Sequence, residues 1–195
     1  MKFWYTARGT YDKYYGQDGM SWEKYIEWSK LSHLKEVVSL DMMLNELLAE
    51  PDRDNAEDWD HIVTNHFYET GCFTDLDYVI KRMQQTPIFN LLTVTQEPIK
   101  ECNSITIEDF EFMGYDLLDQ SYDTSALTNC GGFDETFLPS DINDVGLISE
   151  FETACVIKKR LLENNPNEYH ADCNVIAIWR HKTMGRNSKT SNYYR

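Results

Sequence analysis

A thiol set among glycines, with histidines elsewhere in the chain, is the arrangement here best suited to covalent chemistry. Asn129-Cys130-Gly131-Gly132 leaves backbone N–H groups open to hold an oxyanion. His170 or His181, folded close, would take the thiol proton and generate the nucleophile. Cysteine hydrolases and transferases need that chemistry. The same four residues equally describe a turn with positive φ. The neighbouring Asp123, Asp134 and Glu135 would raise a thiol pKa rather than lower it. The turn is the favoured reading, and Cys130 with His170 is the catalytic alternative.

A second group, Asp58, Asp60, His61, His66 and Cys72, holds metal-ligating residue types. Two histidines five apart do not share a helix face as the four-residue spacing does, and no further His-Glu pair accompanies them. Asp52-Arg-Asp-Asn-Ala-Glu-Asp58 lacks the central Gly and terminal Glu of a calcium loop. His170 and Cys173 have a ligand-compatible spacing but no second pair. Neither glycine-rich phosphate motif occurs. The sequence therefore implies no metal and no cofactor.

Charge is the property furthest from ordinary. The 195 residues carry a formal net charge of −15, concentrated in two stretches. Residues 41–60 hold eight acids against Arg53 alone, and residues 97–152 hold fourteen against Lys100 alone. The rest of the chain is slightly basic, and its end carries Arg180, Lys182, Arg186, Lys189 and Arg195. A charge run is commonly a solvated face that keeps a protein soluble. Solubility does not require clustering, however, and a clustered acidic surface attracts a basic partner while repelling nucleic acid and anionic membranes. The acids read as partner-binding are Asp52, Asp54, Glu57, Asp58, Asp60, Asp116, Asp119, Asp123, Asp134 and Glu135.

These residues must be positioned by elements that the pattern foretells. Residues 2–8 read as a strand, and Ser21 as the N-cap of a helix with Trp22, Tyr25, Ile26 and Trp28 on an aromatic face. Residues 34–40 suit a strand, after which Asp41 would cap a short helix through Leu48. Residues 50–60 read as an acidic loop. Asp75 would cap a helix of Leu76, Val79, Ile80 and Met83, stopped by Pro87. Residues 88–95 and 105–118 are strand-like. Residues 144–163 have helical apolar spacing, and 173–179 form an apolar run typical of a central strand.

Strands and helices alternate without a strict β-α-β rhythm, which implies an α+β fold. The expectation is one domain over residues 1–182, with a mixed or antiparallel sheet of about 5–6 strands and 3–4 helices. Residues 183–195 read as a mobile, basic tail. The opening residues lack a signal-peptide pattern and no window approaches a membrane span. Five cysteines at wide spacings, Cys72, Cys102, Cys130, Cys155 and Cys173, do not form a disulfide framework, so a cytoplasmic location is expected. The functional expectation is an acidic module that captures or neutralises a basic protein, as an immunity protein does a nuclease-type toxin. Apart from the cysteine enzyme, the remaining alternative is a non-catalytic subunit of a larger assembly.

Overall fold

The computed structural model describes residues 1–15, 20–52, 54–63, 71–83, 86, 88–129, 136–164 and 166–185. Its elements are β1 (Trp4–Arg8), β2 (Tyr11–Asp12), α1 (Trp22–Ser29), β3 (Glu36–Val37), α2 (Ala56–His61), α3 (Leu76–Arg82), β4 (Asn90–Gln96), β5 (Phe110–Leu118), α4 (Phe151–Asn164) and β6 (Asn174–Gly185). A 3-10 turn at Pro139–Asp141 precedes α4. The fold is α+β: the described residues form four helices, a four-stranded antiparallel sheet in the order β1-β4-β6-β5, and a two-stranded β2-β3 ribbon.

β6 occupies the middle of the sheet because it is apolar on both faces, as a strand covered from both sides must be. Val175, Ala177 and Trp179 pack with Tyr115, Leu117 and, from α4, Ala154, Ile157 and Leu161. The alternate residues Ile176 and Ile178 pack with Leu92 and Val94 under a layer of loops carrying Val38, Leu40, Cys72, Val145 and Leu147. The ring of Trp179 is fully buried, with Phe3 and Phe112 edge-on against it at 5.5 and 5.2 Å. β5 bends at a bulge between Phe112 and Gly114. There Gly114 has φ of 141°, and a Cβ would fall 2.8 Å from the Ile148 carbonyl oxygen, so only glycine lets that loop close on the strand.

Several local expectations shift. No helix follows Asp41; its side chain instead accepts from the Met43 and Leu44 amides, a single capped turn that propagates no further. A strand pairs only at Glu36–Val37 within 34–40, whereas 105–118 holds a single strand, within the one or two its pattern foretells. The acidic segment contains a helix, α2, because Asn55 accepts from the Glu57 amide and caps it. α4 starts at Phe151 rather than 144, since Asn143 to Ile148 are drawn into bridges with β5 and with one another. β6 runs on to Gly185, so residues 183–185 belong to the sheet rather than to a tail. Pro87 and residues 186–195 lie outside the described residues.

Candidate functional site: an exposed acidic helix and a buried carboxylate cluster

The segment 50–60 owes its shape to one aspartate. Asp58 is 2% exposed and accepts from the Asp52 amide at 2.6 Å, from Asn55 Nδ2 at 3.3 Å, and from the Tyr78 hydroxyl. Arg82 of α3 approaches it within 2.9 Å. Burial pushes the Asp58 carboxyl up, but the bonds from Tyr78, the Asp52 amide and Arg82 outweigh it and hold the group below the usual carboxylate range. His61 stacks on Tyr78 at 4.1 Å, and Lys81 reaches Glu57 at 2.6 Å. Helix α2 is thereby clipped to α3, which lies against β1 at one edge of the sheet. The remaining acids, Glu50, Asp52, Asp54, Glu57 and Asp60, are exposed. Trp59, half exposed at 50%, stands among them.

A different set of carboxylates lies beneath the loop layer. On β1, Arg8 is 0% exposed and pairs across the sheet with Asn90, so it points to the same side as Leu92. Its guanidinium donates to the Asn45 carbonyl at 3.3 Å, and burial lowers its pKa to about 10 although Cys72 and Asp41 lie close enough to oppose this. Asp41 accepts from the amides of Met43, Leu44 and Ser125 at 2.9–3.1 Å and from Asn129 Nδ2 at 3.2 Å. Asp116 on β5 accepts from the Ser39 hydroxyl, from Ser125 Oγ at 2.7 Å and from the Leu117 amide at 2.8 Å. Burial pushes Asp116 up to about 6; the two serine bonds oppose the shift and Asp41 adds to it. Burial also raises Asp41. The cluster ties two loop segments, 39–45 and 125–129, to the end of β5 in one polar knot.

The acids expected to face a partner thus divide. Asp52, Asp54, Glu57 and Asp60 share the exposed α2 region. Asp58, Asp116 and Asp119 are buried and committed to bonds within the fold, so they are corrected from surface to interior groups. Asp119 accepts from the Asp123 and Thr124 amides at 3.2 and 3.4 Å, closing the turn after β5. Asp123 is half-buried and holds the Thr124 hydroxyl at 3.0 Å. The 52–60 group and the 116–123 group lie at opposite edges of the sheet, beside β1 and at the end of β5. Cys130, Asp134 and Glu135 lie outside the described residues, as does His66.

The histidines offered as bases are placed separately. His170 is half-buried in the turn before β6. His181 lies in β6 with Nδ1 accepting from the Thr183 and Met184 amides at 3.2 and 3.0 Å, and its ring meets Phe110 edge-on. A ring nitrogen held by two amides serves the end of the strand rather than proton transfer. Burial lowers the His181 pKa. Cys72, Cys102, Cys155 and Cys173 are free thiols, and burial pushes Cys173 up to about 12. Among the described residues no group of three or more His, Cys, Asp or Glu is placed to hold a metal ion. No helix among them is long and apolar enough to cross a membrane.

The chain matches no protein-family model, no curated protein and no solved structure.

Proposed function

We propose that this protein is an acidic binding module that captures a basic protein partner through the α2 region. The observation carrying this reading is the half-exposed Trp59 of α2, in a segment that also presents the exposed Asp52, Asp54, Glu57 and Asp60. Large aromatics that anchor interfaces combine a broad apolar area with few rotatable bonds, and tryptophan is enriched among binding hot spots. Carboxylates around the anchor speed encounter with a Lys/Arg-rich surface. The clip from Asp58 to Tyr78 and Arg82 holds α2 in one pose, which lowers the ordering cost of binding. Glu57 contributes least to the field because Lys81 already pairs with it.

The partner class is a basic protein, of which a nuclease-type toxin neutralised by an immunity-protein-like inhibitor is one instance. The net charge of −15 disfavours nucleic acid and anionic membranes as partners. The free thiols among the described residues fit a cytoplasmic, reducing location.

The test is affinity capture from native lysate at low salt with three baits. Wild type is compared with D52N/D54N/D60N/W59A and with a control carrying E108Q/E163Q/E168Q, where equal charge is removed at exposed positions elsewhere. A basic protein retained by wild type and by the control, and lost with the α2 variant, supports the reading. Equal retention by all three baits contradicts it.

A further inference from the structure

One surface of this acidic molecule has the opposite polarity. β1 begins at Trp4, opposite Val94, so Thr95 and Gln96 of β4 extend past it. Where they emerge, an open, mainly apolar groove of about 260 Å³ is lined by Lys2, Trp4, Gln96, Pro98, Ile99 and Lys100. Ile99 is 93% exposed beside Trp4 and Pro98, so the three form an apolar lining open to solvent. The one acid on the lining, Glu97, has its Oε1 held by Lys158 Nζ and by the Val175 amide, each at 2.7 Å. Its charge is therefore offset from behind. Lys2 and Lys100 are exposed, and neither ammonium has a carboxylate within ion-pair distance among the described residues.

Lys100 is the sole base in the stretch 97–152, and it lines this groove together with Lys2, Trp4, Pro98 and Ile99, while the nearby Glu97 is held by Lys158. A groove with unneutralised ammoniums at its rim and an indole in its wall is complementary to an anion with a flat apolar body. Its volume falls just under the roughly 300–1,000 Å³ of sites for drug-sized ligands, which suits one ring system with a short side chain. We propose that this groove binds a small aryl- or indolyl-alkanoate, its ring against Trp4, Pro98 and Ile99 and its carboxylate toward Lys2 and Lys100. The site is independent of the α2 region and takes the opposite charge, so it does not depend on the protein-capture reading.

A ¹H–¹⁵N NMR titration of the full chain at low ionic strength tests this with three probes: indole-3-acetate, tryptamine (a related ring with a cation) and acetate (the anion without a ring). Indole-3-acetate should give saturable shifts confined to residues 2–4 and 95–100, with a Kd of about 1 mM or tighter, the range open to a fragment-sized ligand. Tryptamine and acetate should bind at least about tenfold more weakly. K2Q/K100Q should weaken indole-3-acetate about five- to tenfold with an unchanged Tm, since both side chains are exposed. The proposal is overturned by an absence of saturation, by shifts centred elsewhere, by equal binding of tryptamine, or by no effect of K2Q/K100Q.

Discussion

Asp41 and Asp60 lie 19 residues apart in the same acidic stretch, yet one is sealed beneath the loop layer and the other faces water. The contrast shows that a count of charges along a chain does not map a surface. Asp41 is surrounded by donors, three backbone amides and Asn129, and so replaces its hydration shell with protein dipoles. Asp60 and its neighbours Asp52 and Asp54 keep their water and project their field outward. The buried group therefore governs how loops are held, while the exposed group governs what approaches.

Substitutions on the two sides of this contrast should differ sharply. Asp41→Ala leaves four donors, two of them buried, without this acceptor and should lower stability by about 2–4 kcal/mol. At this chain length that shifts Tm by roughly 10 °C, read by calorimetry. Asp52→Ala should stay within about 0.5 kcal/mol of wild type. Comparable losses at both positions would erase the distinction.

Asp116 sharpens the contrast through pH. Its folded pKa of about 6 lies above the ordinary 3.8, so the folded state holds a proton that the unfolded chain has already released. The ionised group penalises the fold fully above pH 6, and the penalty vanishes as pH falls toward 3.8. Two units correspond to roughly 2–3 kcal/mol. Asp41 shifts in the same sense and Asp58 in the opposite one, so the informative quantity is the difference between wild type and D116N. In urea unfolding, D116N should gain on wild type by about that amount between pH 4 and pH 7. A difference independent of pH would show that Asp116 is not held in this way.

A smaller effect is expected at the clip beneath the exposed acids. Tyr78→Phe removes the hydroxyl bonded to Asp58 and should cost about 1–2 kcal/mol, with amide exchange in 52–61 accelerating more than exchange in β6. Uniform acceleration across both regions would mean that α2 is held by something other than the Asp58 contacts.

Much of the sheet is legible from the chain. The apolar run after Cys173, the alternation at 2–8 and the β-rich stretch at 88–95 each mark a strand of the antiparallel sheet. The Ser21 and Asp75 caps each bond to the amide three residues on, as their spacing indicates. What is not legible is tertiary in origin. Nothing local separates Asp116, inside β5 with its side chain turned to the loop layer, from an aspartate on a solvated strand face. Ser39 and Ser125 look like ordinary turn residues until the fold brings them to one carboxylate, across 77 and 9 residues of chain. Arg8 is equally illegible: a cation at the end of a strand is ordinarily exposed, and only the fold shows it to be buried. The helix at 56–61 was hidden because its apolar side is supplied by α3 rather than by its own periodicity.

The central claim is that the exposed α2 acids steer a basic partner toward Trp59. Stopped-flow association of the captured partner, at about 20 mM and about 300 mM salt, tests it directly, because screening shortens the reach of these charges several-fold over that range. The wild-type association rate should fall at least about tenfold with salt, while D52N/D54N/D60N should start slower and lose most of that dependence, with thermal stability unchanged. Equal rates and equal salt dependence for wild type and variant would contradict the account.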